Sequence, residues 1–307
     1  MLGAPAPKGQ EMDDHYFGTL KPRVSEYMKD LDMELWKLGI PAKTKHNEVT
    51  PCQHELAPVF DTCNVAVDRN QLTMEMMKKV AKKHGYVCLL HEKPFEGING
   101  SGKHDNWSLC MDTGINLLEP GKTPGDNIKF LVFLAAVVWA VDEYADLMRF
   151  SVASAGNDHR LGANEATPAI ISIFLGDELT AVVEAIEKGE FFGKSEKVRM
   201  EMGAAVIPHF TRDTTDRNRT SPFAFTGNKF EFRSLGSAAS VADPNIILNT
   251  AVAEILKRFA DQLEKVEGDR SNTIHTLIRD TFVNHKRVIF NGNDYSQEWV
   301  DEAKKRG

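Results

Sequence analysis

Cysteine is scarce in this chain: Cys52, Cys63, Cys88 and Cys110 are the four among 307 residues, and no two stand as C-x-x-C. That argues against a structural zinc site and a disulfide framework, and points to a reducing, cytoplasmic setting. A basic surplus is lacking as well, since the formal net charge is -7 at pH 7. Neither nucleic acid nor an anionic membrane is an expected partner, although a local basic pocket for phosphate stays open. Aromatic residues do not interleave with basic ones as a single-strand binder requires. The longest apolar run, Phe130 to Val141, is too short to span a bilayer and reads as a buried helix. The opening Met1-Leu-Gly-Ala-Pro-Ala-Pro7 lacks the charge-then-apolar pattern of a signal peptide. No internal repeat, low-complexity tract or clear linker stands out. What is present is an ordinary globular composition, 42% hydrophobic and 26% charged, in a chain long enough for one large domain or two modest ones.

Periodicity gives a coarse map. Residues 1–19 read as a loop. Residues 22–38 read as an amphipathic helix with Val24, Tyr27, Met28, Leu31, Leu35 and Leu38 on one stripe, stopped by Gly39 and Pro41. Residues 46–60 suit two strand pieces kinked at Pro51. Helices are expected at 71–84, closed by Gly85, and at 127–149 and 167–187, with Pro168 in the first turn of the last. Residues 86–91 and 106–111 look β-like, 151–165 and 211–221 look like charged loops, and 228–234 reads as a strand. Three more helices are expected at about 244–266, 271–285 and 295–305. Strand pieces between long helices, without regular βαβ alternation, predict an α+β fold with an antiparallel sheet.

Five segments hold residues suited to chemistry. In His46-Asn-Glu48-Val-Thr-Pro-Cys-Gln-His-Glu55 two carboxylates stand seven apart. One straight strand would put them on opposite faces. A turn at Pro51 would bring them together for a hard divalent cation, and otherwise they are solvated glutamates. Asn99-Gly100-Ser101-Gly102 followed by His104 makes a flexible turn whose N–H groups suit an anion, or a plain loop. Asn157-Asp-His-Arg160-Leu-Gly-Ala-Asn-Glu165 mixes both charge signs with glycine, as a pocket cover or an ordinary loop would. Arg212, Arg217 and Arg219 fall within eight residues, a density suited to phosphate oxygens or to a solvated charge cluster. Asn228-Lys-Phe-Glu-Phe-Arg233 alternates cleanly, with Lys229, Glu231 and Arg233 on one face and Phe230 and Phe232 on the other. The charged face suits a metal–phosphate site, or the strand is an exposed amphipathic edge.

Taken in this order, the segments resemble glutamine synthetase, specifically its long bacterial type III form, across essentially the whole chain. The motifs carrying the resemblance are Asn47 to Glu55, Glu92 to Leu109, Ala155 to Ala166 and Thr215 to Arg233. The resemblance implies a curved antiparallel catalytic sheet packed against long helices. It implies ligation of ammonia to the γ-carboxylate of glutamate with ATP as co-substrate, through γ-glutamyl phosphate, with two or more Mg²⁺ or Mn²⁺ ions. It also implies homo-oligomeric rings. By motif position, Glu48 and Glu55 resemble ligands of the metal beside glutamate, and His104 and Glu231 those of the metal nearer the nucleotide. Asn99 and Gly100 resemble the glutamate-binding turn, and Arg160 the clamp on the α-carboxylate. Glu165 resembles the carboxylate that helps deprotonate ammonium. Arg219 and Arg233 resemble phosphate-contacting arginines, Lys229 a nucleotide-side cation, and Ser108 a residue near the adenosine.

Two departures from the short forms of the family stand out. No strand in residues 1–45 supplies the Glu-x-Glu pair, since Glu11, Glu26 and Glu34 fall in an expected loop or helix. The region after Arg219 is shorter and lacks one arginine. The expectation is therefore one partial catalytic domain over residues 1–307, without the N-terminal β-grasp domain and a C-terminal extension. A related glutamate–amine ligase and a catalytically incomplete binding or structural fragment are the alternatives.

Overall fold

A computed structural model describes residues 4–164, 166–189 and 220–307. In chain order the elements are α1 (Asp14–Phe17), α2 (Pro22–Lys37), β1 (Ala42–Asn47), β2 (His54–Pro58), α3 (Cys63–Lys83), β3 (Gly102–Trp107), α4 (Ile128–Glu143), α5 (Ala145–Phe150), α6 (Ala155–Arg160), β4 (Ile173–Phe174), α7 (Gly176–Lys188), β5 (Phe223–Phe225), β6 (Phe230–Gly236), α8 (Ala242–Leu263), α9 (Ser271–His285) and α10 (Gln297–Arg306). The chain forms two units. The first comprises residues up to Lys103 with Val152–Ala166 and Ser234–Asn245; the second comprises His104–Ser151, Thr167–Arg233 and Ile246–Gly307.

In the first unit, α2 starts with Pro22 at its first position, where the missing N–H is harmless. Met28, Leu31 and Leu35 of the expected stripe are buried, but Leu38 is 47% exposed. The helix ends before it: Gly39 adopts φ 71°, its N–H reaches Trp36 O at 3.0 Å, and the Ile40 N–H reaches Leu35 O at 2.9 Å. This paired closure turns Ile40 back onto the helix. Leu31, Leu35, Ile40 and Val80 then form a core that Tyr27, Ala42, Leu56, Met76 and Met77 pack against. The strands β1 and β2 pair antiparallel with His46 opposite Glu55 and Asn47 opposite His54.

Several boundaries differ from expectation. The helix α3 begins at Cys63 rather than 71, because no Gly or Pro interrupts residues 63–83. Residues 86–91 are irregular; the Tyr86 N–H turns back to Ala81 O at 2.8 Å instead of entering a ladder. The strand β3 starts inside the expected glycine turn and stops at Trp107, after which Leu117 N–H bonds Leu109 O at 2.8 Å. The short α1 occupies part of the expected N-terminal loop. Likewise α6 occupies part of the 151–165 loop, capped by Ser154 Oγ, which accepts from Asn157 N–H.

A sheet in the order β3-β6-β5-β4 has most of its residues in the second unit. The β5–β6 pair is antiparallel, with Phe223 opposite Phe232 and Phe225 opposite Phe230, and the two-residue β4 joins β5 in parallel. The expected 167–187 helix is therefore divided into β4 and α7. Its start is set by the Asn291 side chain, which accepts from the Leu175 and Gly176 N–H groups at 2.9 and 3.0 Å. The expected 127–149 helix is interrupted at Tyr144, giving α4 and α5. Nine of the twelve residues of α4 from Phe130 to Val141 are buried and the other three are partly so, as an all-round apolar helix requires. Phe223 stacks on Phe230 at 4.5 Å and meets Phe232 edge-on at 5.9 Å, so the aromatic face of β6 does belong to the core. Glu231 and Arg233 of the charged face are buried too, which removes the exposed-edge reading: β6 lies between β3 and β5. No helix among the described residues is long and apolar enough to cross a membrane.

The core assignment predicts that Leu35→Ala destabilises the protein by about 2–5 kcal/mol while Leu38→Ala changes stability by less than about 0.5 kcal/mol, read from urea unfolding midpoints.

Candidate functional site

The hairpin resolves the seven-residue spacing. His46 and Glu55 are cross-strand partners, and Glu48 lies two residues beyond His46, so all three share one side. His46 Nε2 lies 3.0 Å from Glu48 Oε1 and 3.1 Å from Glu55 Oε2. Their ligand atoms all fall within 4.8 Å of one another. One imidazole nitrogen and two carboxylates suit a hard or borderline divalent cation such as Mg²⁺ or Mn²⁺. The turn is pinned behind them: Glu48 N–H bonds Gln53 O at 3.0 Å, and His15 Nδ1 donates to Glu48 O at 2.6 Å. His54 on β2 points elsewhere, pairing through Nδ1 with Asn47 Oδ1 at 3.0 Å. Burial is the main cause holding its imidazole down to about 4, with His15 and Lys21 adding to the effect. His54 is thus neutral at physiological pH.

The glycine turn joins this hairpin. Thr50 Oγ1 donates to Asn99 O at 3.0 Å and Gln53 Nε2 to Gly100 O at 3.2 Å. Gln10 brackets Asn99, accepting from its backbone N–H at 2.9 Å and donating to its side-chain oxygen at 2.7 Å. The Ser101 N–H bonds Glu92 O at 2.8 Å. Two of the amides expected to face an anion are therefore engaged within the protein. Nor do Gly100 and Gly102 adopt positive φ, in contrast to Gly97. They serve close approach: a Cβ on Gly100 would stand 2.5 Å from Arg160 Cγ, and one on Gly102 would stand 2.5 Å from Arg160 Nη1. Arg160 is buried. Its Nε donates to Asn157 Oδ1 at 3.0 Å and its Nη2 to Leu235 O at 2.9 Å. Asn157 is fixed in turn by Val152 O at 2.7 Å and Ser234 O at 2.8 Å.

In the second unit, His104 Nδ1 lies 3.2 Å from Glu231 Oε1, the imidazole half-exposed and the carboxylate buried. This is a second nitrogen–oxygen donor pair. Arg233, 1% exposed, donates through Nη2 to Thr220 O and Oγ1, each at 2.6 Å, and to Ser221 O at 3.0 Å. Among the described residues, neither carboxylate oxygen of fully buried Asp294 meets a partner at full hydrogen-bond geometry. Burial pushes it up to about 7, against the smaller pulls of the Arg233 charge and the nearby Trp299 indole N–H. Lys229 lies in the turn between β5 and β6, where Thr226 N–H bonds Lys229 O at 2.8 Å. Exposed Ser108 donates to Asn116 Oδ1 and to Asn228 O, each at 3.0 Å. Glu165 and Arg219, with the arginine-rich segment 211–219, lie outside the described residues. Glu11 falls in a short helical turn, and Glu26 and Glu34 in α2.

Sequence reasoning did not assign His46, Gln10, Asn157 or Glu92 a role. For His46 the signal was present as His-x-Glu beside a turn, since alternate strand residues share a face. Gln10 and Glu92 act through partners distant in sequence, and Asn157, three residues from Arg160, is itself anchored by distant Ser234, which no local pattern reveals.

The α+β chain thus sets two groups of nitrogen and carboxylate donors on and beside its strands and a buried arginine against a glycine turn. Residues 5–201 match the family model for the glutamine synthetase catalytic domain, and residues 273–307 match that for the glutamine synthetase C-terminal domain. The chain belongs to the glutamine synthetase family. It is 63% identical to a glutamine synthetase of Butyrivibrio fibrisolvens and 52% identical to a type-3 glutamine synthetase of Dictyostelium discoideum, in each case over 100% of this chain. It spans 44% and 42% of those two relatives, less than half of their length. A solved structure described as apo GmaS without ligand shares the fold, with a TM-score of 0.53 at 15% identity, covering 92% of this chain and 58% of that one.

Asp294 yields a pH prediction. Its folded-state value lies above the unfolded one, so the folded protein binds the extra proton between about 4 and 7, and stability falls as pH rises through that window. Relative to Asp294→Asn, the unmodified protein should lose unfolding free energy from pH 4 to pH 7. Parallel profiles in urea titrations would contradict this.

Proposed function

We propose that this chain carries the catalytic part of an ATP-dependent glutamate–ammonia ligase. In this reading the γ-carboxylate oxygen of glutamate attacks the γ-phosphorus of ATP and ADP leaves. The ammonia nitrogen then attacks the acyl carbon of γ-glutamyl phosphate, and phosphate departs as glutamine forms. The observation that carries the reading is the convergence of Glu48, Glu55 and His46 on one point, with a second donor pair at His104 and Glu231, in a chain of this family. Both groups fit a divalent cation in donor type. Bound ions there would neutralise the triphosphate and the charge of the transferring phosphoryl group.

The remaining roles belong to the protein. Arg160, buried and held from two sides, would clamp the α-carboxylate of glutamate beside Asn99 and Gly100, a charge-assisted contact that fixes the reacting end. Glu165 would accept a proton from ammonium. Arg219 and Arg233 would contact phosphate oxygens, Lys229 the nucleotide phosphates, and Ser108 the adenosine. A cytoplasmic protein assembled as homo-oligomeric rings, with Mg²⁺ or Mn²⁺ as the ions, completes the reading.

Calorimetric titration with Mn²⁺, followed by a γ-glutamyl transfer assay, tests it. Glu48→Gln and Glu231→Gln should each weaken Mn²⁺ binding by about tenfold or more and lower transfer by about 100-fold or more, and His46→Ala should weaken binding in parallel with Glu48→Gln. Unchanged affinity and rate in Glu48→Gln and Glu231→Gln would refute the assignment. Metal binding by the unmodified protein without any turnover would favour a binding or structural role.

A further inference from the structure

Glu92 is 6% exposed and sits where three separate segments meet. Its Oε1 accepts from the Ala238 N–H at 2.9 Å. Its own carbonyl accepts from the Ser101 N–H at 2.8 Å, closing the glycine turn. Two glycines make room for the carboxylate. A Cβ on Gly236 would stand 2.5 Å from Oε1, and all three of its nearest atoms belong to Glu92. A Cβ on Gly156, in α6, would stand 2.8 Å from Oε2.

The segment Glu92 grips is the one that holds the buried arginine. Between Ser234 and Ala239 the backbone receives Asn157 Nδ2 at Ser234 O (2.8 Å) and Arg160 Nη2 at Leu235 O (2.9 Å). Lys103 Nζ reaches Gly236 O at 3.3 Å and Ser237 O and Ala239 O at 2.6 Å each. Where these side chains donate to the carbonyls of the segment, Glu92 accepts from one of its N–H groups, Ala238, and its charge lies near that of Lys103. It therefore ties together the turn under Arg160, the helix that carries Arg160 and the carbonyl that orients Arg160.

We propose that Glu92 is a positioning residue that sets the guanidinium of Arg160 for a substrate carboxylate, acting through the 234–239 backbone. This rests on the reading of Arg160 as the glutamate clamp. A buried carboxylate locked between two glycine Cα atoms cannot shift without moving both segments, so its effect falls on glutamate rather than on nucleotide.

The test is a double-mutant cycle with kinetics, made in the full-length enzyme. Glu92→Ala should raise KM for glutamate by about tenfold or more and leave KM for ATP within about twofold, while Glu92→Gln, which retains an acceptor for Ala238, should recover most of the glutamate affinity. Gly236→Ala alone should lower the unfolding midpoint, and the same change in the Glu92→Ala background should be tolerated, because the methyl would then meet no carboxylate. Should Glu92→Ala fail to fold, Gly156→Ala presses on the same carboxylate from the other side and should give the same glutamate-selective shift. Strict additivity of Glu92→Ala and Gly236→Ala, or an unchanged KM for glutamate in the folded variants, would overturn the proposal. Failure of the unmodified protein to bind glutamate would overturn the functional reading and the positioning role with it, whereas the stability cycle would still report whether Glu92 and Gly236 are coupled.

Discussion

A guanidinium cannot lose its protons at any physiological pH, so burying one commits the surrounding chain to supplying acceptors. Arg160 imposes that demand on the first unit. Asn157 and the Leu235 carbonyl answer it directly. Asn157 must then be anchored by Val152 and Ser234, and the backbone of 234–239 must be held by Lys103 and Glu92. A Cβ on Gly100 would meet the Glu92 carbonyl oxygen and the Arg160 stem, and one on Gly102 would displace the guanidinium itself. Many small constraints in this unit descend from one buried charge, whose desolvation is costly unless every neighbour is fixed to answer it.

The metal candidates follow a different logic. Strand pairing rather than sequence proximity puts Glu48, Glu55 and His46 on one side, because a register that sets His46 against Glu55 also aligns Glu48. A one-residue slip would turn His46 and Glu48 away from Glu55. In the second unit, β6 lies between two strands, and its phenylalanines interlock with those of β5. Glu231 is thus carried on a strand buried along its whole length, which fixes the position of its carboxylate.

Much of this architecture is legible in the sequence. The helices α2, α8, α9 and α10 are marked by apolar periodicity and by clear stops such as Gly39. Elements decided by their partners are not. Residues 86–91 have strand composition but pair with no strand among the described residues, and β4 becomes a strand through pairing with β5. The site divides in the same way. The types and order of Glu48, Glu55, His104, Arg160 and Glu231 point to the family, yet spacing alone would have set the two hairpin glutamates on opposite faces. Glycine was read as a source of unusual dihedrals at Asn99 to Gly102, whereas at Gly100 and Gly102 it supplies space. Glu92 and Gln10 gain meaning only from contacts made across most of the first unit's sequence span.

The most direct measurement is anomalous diffraction from crystals of the full-length protein grown with Mn²⁺ and glutamate. The account predicts Mn²⁺ peaks at the His46–Glu48–Glu55 group and at the His104–Glu231 pair, with the glutamate α-carboxylate on the Arg160 guanidinium. Mn²⁺ bound away from both groups, or glutamate bound without contact to Arg160, would contradict it.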